Sequence, residues 1–138
     1  MSGNKDTVCA GLVIIKHPQK GDADSGKAIC DGIRKAIPAD AGHVCLFHDA
    51  TEMGSANAGY AGAFKELDKD ISGRVTEIVC AIPGSIPRMM AHTVAMFSDK
   101  KWSIFKEKDE AVKYLEEKGF DSKKQAAQGP GTVGFIKS

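Results

Sequence analysis

Three short and nearly uninterrupted apolar runs constrain the fold of this chain more than any other feature. They lie at residues 8–15 (VCAGLVII), 43–47 (HVCLF) and 75–82 (VTEIVCAI). Strands that are apolar at almost every position are typical of a parallel sheet covered on both faces. Each run leads into a polar turn and then a segment with helical spacing of apolar residues, so the sequence predicts repeated strand–helix units.

The order of these segments predicts a single α/β domain over residues 1–120. We expect a four- to five-stranded, mostly parallel or mixed sheet with about four helices. A short strand near an edge is expected at residues 102–105. Residues 121–138 read as a polar tail that either adds an edge strand at 132–136 or stays loose. The alternative is a flavodoxin-like sheet, which needs a fifth parallel strand that only residues 132–136 can supply.

The helix starts and the buried face of the third helix also follow from local patterns. We expect Asp24 and Ser25 to cap the first helix, Ser85 to cap the third, and the last helix to begin at Asp109. The predicted inner face of the third helix consists of Met89, Met90, Thr93, Val94 and Phe97.

Composition and charge narrow the classes of function. The chain has 138 residues, 42% of them hydrophobic, and a formal net charge of +1, which argues against nucleic acid as a partner. We find neither a targeting segment nor a membrane span in the sequence, and we expect a cytoplasmic protein. Cys9, Cys30, Cys45 and Cys80 lie apart within apolar runs, so we interpret them as reduced core residues. We expect neither a metal site nor a cofactor.

Residues 21–28 (GDADSGKA) nearly match the phosphate-binding loop pattern GxxxxGK[ST] between a strand and a helix. A nucleotide-binding protein or small enzyme using Lys27 is therefore one alternative. Ala28 stands where a hydroxyl would hold magnesium, and Asp22 and Asp24 would repel phosphates. We favour a solvated turn with a helix cap.

Two other strand ends carry candidate binding residues. His48 and Asp49 end the second strand and could serve acid–base chemistry, but adjacent strand residues point to opposite faces, so we expect Asp49 to bond the following turn instead. Ser85 and Arg88 open the third helix, where free amides and a guanidinium suit a small anion or a partner carboxylate.

The turn at residues 51–59 (TEMGSANAG) contains small residues that let a ligand or another backbone approach the second helix. Ser55 or Asn57 is placed to cap that helix. A phosphate on a serine there would be stabilised by the positive end of the helix dipole.

The arrangement resembles the STAS-like superfamily, which includes the anti-sigma factor antagonists of sporulation and related bacterial domains grouped with CRAL-TRIO-type lipid-binding folds. The likeness spans residues 8–120. It rests on the apolar strand at residues 44–47, the acidic Asp49 and the sequence Asn57-Ala58-Gly59-Tyr60 that opens a helix. The segment KKWSIFKEKDEAVKYLEEKGF is similar to the closing strand–helix of these domains.

Two features depart from that family. Its sporulation members carry an Asp-Ser-Ser-Gly turn whose first serine is phosphorylated, and Asn57 occupies the serine position here. The family's opening hairpin is also not evident, because residues 8–15 read as one strand. The resemblance implies a non-enzymatic regulatory domain that binds a protein partner or a small apolar or anionic ligand through Asp49, Ser55, Asn57, Ser85 and Arg88. A homodimer and a structural module in a larger assembly are further alternatives.

Overall fold

The computed structural model describes residues 11–39, 43–120 and 131–137 and has the predicted α/β architecture. In these ranges, four helices pack around one five-stranded mixed sheet, beside a second sheet of two strands. The strands are β1 (Gly11–Lys16), β2 (Lys20–Gly21), β3 (Val44–Asp49), β4 (Ser55–Ala56), β5 (Val75–Ala81), β6 (Lys101–Phe105) and β7 (Thr132–Lys137). The helices are α1 (Ala23–Ala36), α2 (Ala58–Asp70), α3 (Ser85–Met96) and α4 (Lys108–Glu117).

The strands of the large sheet lie in the order β6-β5-β3-β1-β7. The first four are parallel to one another, whereas β7 is antiparallel to β1. Each strand–helix unit adds its strand on the same side, so right-handed crossovers place α1, α2 and α3 on one face. α4 packs on the opposite face. The antiparallel β7 excludes the flavodoxin-like alternative, which requires a fifth parallel strand.

Side chains alternate between the two faces along each parallel strand and so divide the core in two. The face under α1, α2 and α3 carries Val13, Ile15, Leu46, Ile78 and Cys80. The opposite face carries Leu12, Ile14, Cys45, Phe47 and Val79 beneath Ala111 and Leu115 of α4. Burial of both faces explains why the strands are apolar at nearly every position. Cys30, Cys45 and Cys80 are buried thiols, as predicted, and Cys9 lies outside the described residues.

The small sheet pairs β2 with β4 and was not predicted from the sequence. Each strand has only two residues, and the amides of Gly54 and Ser55 both donate to the carbonyl of Gln19, at 2.8 and 3.1 Å. This pairing fastens the turn after β1 to the turn that precedes α2. It therefore fixes the start of α2 beside the end of β1.

Two helix caps differ from the sequence prediction. Asp22, not Asp24, caps α1: its carboxylate accepts a hydrogen bond from the Ser25 amide at 2.9 Å, and the Asp22 amide donates to the Ser25 hydroxyl at 3.0 Å. Ser85 is the first residue within α3, and Gly84 holds the cap position with no side-chain hydrogen bond. In both helices the cap is a residue that still has extended backbone. It precedes the predicted cap by two positions in α1 and by one position in α3.

The buried face of α3 also differs from the prediction. Pro87 and Val94 are buried and Met90 is partly buried, whereas Met89 is 65% and Phe97 75% exposed. Thr93 and Met96 are exposed as well. α3 crosses the sheet near the edge strand β6, so only a narrow stripe of the helix meets the protein. The residues outside that stripe form an apolar surface on α3.

Candidate functional site

A cavity opens at the carboxyl ends of β3 and β5, between the sheet, α2 and α3. Its volume is about 70 Å³. One ordered water needs roughly 10–15 Å³ on this measure, so the cavity has room for several waters or one small organic group. Most of its lining is apolar, and its polar side chains are His17, His48, Tyr60, Cys80 and Trp102. We call it the strand-end cavity.

Strand register brings the two histidines together. His48 lies opposite Ile15 in the pairing of β1 with β3, and His17 follows β1 directly, with its amide bonded to the Asp49 carbonyl at 2.9 Å. Both side chains project from the face that carries Val13 and Leu46, because they lie two or four residues farther along their strands. His17 Nε2 consequently lies 2.8 Å from His48 Nδ1.

Tyr60 in the first turn of α2 extends the pair to a third side chain. Its hydroxyl lies 2.5 Å from His17 Nδ1. Gly21 in β2 makes room for the phenol ring, since a Cβ atom at that position would lie 2.8 Å from the ring. The small sheet and this glycine together hold the Tyr60 ring against His17. We call the three linked side chains the Tyr60–His17–His48 chain.

Aromatic rings enclose the histidines. The Phe64 ring centroid lies 5.4 Å from that of His17 and 5.5 Å from that of His48. Trp102 in β6 stacks on His48, with ring planes 8° apart and centroids 6.4 Å apart. The indole Nε1 of Trp102 is fully buried and has no hydrogen-bond partner among the residues that the structure describes. Such an unpaired buried donor is rare in folded proteins.

Burial controls the protonation of the site. It lowers the pKa of His17 to about 4, and burial together with the neighbouring His17 lowers the pKa of His48 well below its usual value. Burial also raises the pKa of the Cys80 thiol and of the Tyr60 hydroxyl. All four groups are therefore uncharged at neutral pH. A histidine with so low a pKa is a weak general base, so the arrangement favours hydrogen bonding over proton abstraction.

Asp49, one of the predicted binding residues, lies on the other face of the sheet. Its carboxylate accepts hydrogen bonds from the hydroxyl and amide of Thr51, at 2.6 and 3.2 Å, and pairs with Lys108 at 3.0 Å. The predicted bond to the following turn is confirmed. Since His48 and Asp49 point to opposite faces, they do not act as an acid–base pair.

Ser55 and Asn57 lie at the turn before α2. Ser55 is exposed in β4, and the side chain of Asn57 caps α2 by accepting a hydrogen bond from the Tyr60 amide at 3.0 Å. The cap prediction for Asn57 is confirmed. It also orients the first turn of α2, from which Tyr60 reaches His17.

Ser85 and Arg88 lie beyond β5. Ser85 is exposed, and the Arg88 guanidinium donates to the carbonyls of Ile82 and Pro83, at 3.0 and 2.8 Å. Arg88 thus braces the loop that leads into α3. None of the five predicted binding residues lines the strand-end cavity, and their role in binding a ligand or partner stays a prediction.

The phosphate-loop-like segment 21–28 does not form a loop. α1 begins at Ala23, so Lys27 lies more than one turn inside the helix. Gly26 is buried, and a Cβ atom there would lie 3.0 Å from the Tyr60 ring. The amides of Ser25 and Gly26 donate to Asp22, so they are not free to surround an anion. The structure therefore removes the geometric basis for a nucleotide site at Lys27.

The chain matches no family model, no curated protein and no solved structure to a significant degree. Within the described ranges, no helix has the length and hydropathy needed to cross a bilayer. No cluster of three histidine, cysteine or acidic side chains suited to a metal ion occurs there either. The strand-end cavity and the Tyr60–His17–His48 chain are therefore the features of this protein from which a function can be inferred.

Proposed function

We propose that this chain is a non-enzymatic ligand-binding domain of the STAS-like class, and that its strand-end cavity takes up a small, largely apolar molecule. The observation that carries the proposal is the cavity itself, an apolar space around two buried, uncharged histidines. Ligand pockets of proteins combine these features, a mostly apolar lining with a few placed polar groups. The position, beyond the carboxyl ends of parallel strands, is where ligands gather in open α/β sheets.

The loose attachment of α3 supports access to the cavity. Only Pro87 and Val94 of this helix are buried, and both line the cavity together with Met90 and Ala91. A helix with so few buried contacts is among the least costly elements to displace. Unbranched Met90 can also adapt its shape to different occupants. α3 accordingly acts as the movable wall of the site.

The STAS-like assignment rests on the order of elements and on local sequence likeness. The mixed sheet carries its antiparallel strand next to β1, supplied by the C-terminal β7 instead of the opening hairpin of the family. Asn57 caps α2 at the position where sporulation members carry a phosphorylated serine. A phosphorylation switch at that position is therefore not part of the proposal, and ligand uptake takes its place.

Benzene titration tests the proposal, and Trp102 is the reporter because it is the sole tryptophan of the chain. We expect its fluorescence and the ¹H–¹⁵N signals of His17 and His48 to shift in a saturable manner. Ala91→Leu should fill the cavity and weaken benzene binding by at least about tenfold, since the isobutyl side chain that replaces the methyl group occupies the space that the ligand needs. Ala95→Leu, on the same helix but outside the cavity lining, should bind as the wild type does.

Two results would overturn the proposal. One is the absence of a saturable response at benzene concentrations near its aqueous solubility. The other is equal benzene binding by the wild type and Ala91→Leu, provided that the variant has a normal ¹H–¹⁵N spectrum. Benzene that binds elsewhere on the protein surface would shift the same ¹H–¹⁵N signals in Ala91→Leu and in Ala95→Leu.

A further inference from the structure

The Tyr60–His17–His48 chain has few ways to distribute its protons. Each histidine is neutral and carries one N–H group, and the Tyr60 hydroxyl carries one O–H group. Two contacts join them, from the Tyr60 hydroxyl to His17 Nδ1 and from His17 Nε2 to His48 Nδ1. Each contact needs one proton between its two heavy atoms. Two arrangements satisfy both contacts. They differ at His48 Nε2, which carries a proton in one arrangement and a lone pair in the other.

In the first arrangement, the Tyr60 hydroxyl donates to His17 Nδ1 and His17 Nε2–H donates to His48 Nδ1. The remaining proton then lies on His48 Nε2. In the second arrangement, both contacts run in reverse, His48 Nε2 carries a lone pair, and the Tyr60 hydroxyl proton requires another acceptor. In the described part of the chain, the Tyr60 hydroxyl makes only the bond to His17, and Tyr60 is 5% exposed. Both arrangements leave one buried donor without an acceptor, but a phenol O–H is a stronger donor than an imidazole N–H and an imidazole nitrogen is a stronger acceptor than a phenol oxygen, so the first arrangement is favoured.

The proton on His48 Nε2 has no acceptor among the residues that the structure describes. His48 bonds through Nδ1, and its Nε2 atom has no partner among the residues that the structure describes. Trp102 Nε1 is the one side-chain polar atom there that is fully buried without a partner, so His48 Nε2 is not sealed off. Because His48 lines the strand-end cavity, this nitrogen is reached from it. The polar end of the cavity is thus a hydrogen-bond donor.

The indole of Trp102 stacks on His48 in the wall of the same cavity, but its Nε1 atom is fully buried and is not reached from the cavity. His48 Nε2–H is therefore the donor that an occupant meets. An occupant that brought only donor groups would leave this N–H group unpaired, whereas one with a hydrogen-bond acceptor would satisfy it.

The acceptor must also be uncharged. No lysine or arginine side chain is found among the described residues that line the cavity. Transfer of an unpaired carboxylate or phosphate into such an apolar space costs several kcal/mol. We therefore propose, on the basis of the function proposed above, that the occupant of the cavity is a small neutral carbonyl compound whose oxygen accepts the Nε2–H bond of His48.

Cyclohexanone and methylenecyclohexane test this inference, because they share a ring and differ only in C=O against C=CH₂. Leaving a buried donor unpaired corresponds to a loss of roughly five- to 150-fold in affinity. We expect cyclohexanone to bind at least about fivefold more tightly, followed by Trp102 fluorescence and ¹H–¹⁵N spectra. Equal affinity would overturn the inference and leave ligand uptake intact, whereas failure of both probes would overturn the proposed function along with it.

Tyr60→Phe provides the matched variant. It removes the hydroxyl that orients the proton chain and keeps the aromatic ring, so both proton arrangements become accessible. The preference for cyclohexanone should then fall to within about twofold. Long-range ¹H–¹⁵N spectra of the unliganded wild type give an independent readout, in which His48 should be protonated at Nε2 and bare at Nδ1. The reverse tautomer, or an unchanged preference in a folded Tyr60→Phe variant, would overturn the inference.

Discussion

Acidification should destabilise this protein through its buried histidines. In the folded state the pKa of His17 is about 4, and in an unfolded chain it returns to about 6.5. The unfolded state therefore binds more protons between these two values, and stability must fall as the pH falls through this window. The contribution of neutral His17 is fully present above pH 6.5 and is lost progressively toward pH 4. His48, whose pKa is also lowered, adds to the loss in the same direction.

The magnitude follows from the pKa difference. Only the part of the interval below the unfolded pKa of about 6.5 contributes, and each pH unit there corresponds to 1.36 kcal/mol. Between pH 7 and pH 4.5, His17 alone should therefore reduce the free energy of unfolding by about 2.5 kcal/mol. This is a large fraction of the roughly 5–15 kcal/mol that holds a typical domain folded. It corresponds to a decrease of roughly 1–2 M in the midpoint of urea unfolding. The groups around His17 in the cavity wall, including Tyr60, His48 and Cys80, carry no charge that would offset the loss.

A variant comparison isolates this effect from the carboxylates. Asp22, Asp49 and Asp99 also have lowered pKa values, so the wild type loses their contribution as well when the pH falls. His17→Gln retains a side-chain N–H group but cannot be protonated in this range, and it should lose about 2 kcal/mol less than the wild type over the same pH interval. His92→Gln, at an exposed position on α3, should lose as much as the wild type.

Urea unfolding at pH 7 and pH 4.5, followed by Trp102 fluorescence and circular dichroism, measures the change in the free energy of unfolding for the wild type, His17→Gln and His92→Gln. The comparison uses differences within each variant, so any loss of stability that His17→Gln suffers at pH 7 cancels. If His17→Gln and the wild type lose the same free energy to within about 0.5 kcal/mol, His17 is not a buried neutral residue. The description of the site would then be wrong.

Two further predictions concern the framework around the site. Gly21→Ala should lower the free energy of unfolding by about 1–3 kcal/mol and displace the Tyr60 ring, because its Cβ would lie 2.8 Å from that ring. Gly62→Ala, whose Cβ would have nothing within 4 Å, should be neutral or stabilising by up to about 1 kcal/mol. Urea unfolding measures both changes, and equal effects of the two substitutions would contradict the packing of Gly21 against Tyr60. Glu77→Ala should lower the free energy of unfolding by about 2 kcal/mol, since it removes a buried carboxylate that pairs with Lys118 at 3.0 Å. A thermal unfolding midpoint within 1 °C of that of the wild type would contradict this role.

The sequence was sufficient to predict the parallel sheet because both faces of its strands are buried. Runs of apolar residues at 11–15, 44–47 and 75–81 have no polar face, and only strands covered on two sides need that composition. The edge position of β6 was also predicted correctly. The antiparallel direction of β7 was not predictable, because direction depends on where the chain returns after α4 and not on the residues of the strand.

The buried face of α3 illustrates what periodicity cannot decide. Ile86, Met89, Met90, Val94 and Phe97 surround the helix on nearly all sides, so more than one apolar stripe can be drawn. The choice between the stripes depends on the angle at which α3 crosses the sheet, which is a tertiary property. Of the predicted face, the structure buries Val94 and partly buries Met90, whereas Met89, Thr93 and Phe97 are exposed.

The strand-end cavity was missed because its polar residues are far apart in the chain. His17 was not among the predicted site residues, and His48 was considered only together with its neighbour Asp49. One signal could have found the pair: both histidines fall on the same face at the carboxyl ends of strands expected to be adjacent. Tyr60 could not have been added, since its approach depends on the unpredicted small sheet and on Gly21.

A crystal structure of the protein soaked with cyclohexanone tests the central claim most directly. We expect electron density for the ring inside the strand-end cavity, between Met90 and Trp102, with the ketone oxygen within hydrogen-bonding distance of His48 Nε2. An empty cavity at saturating ketone, or cyclohexanone bound only on the exposed side of α3 near Met89 and Phe97, would contradict it.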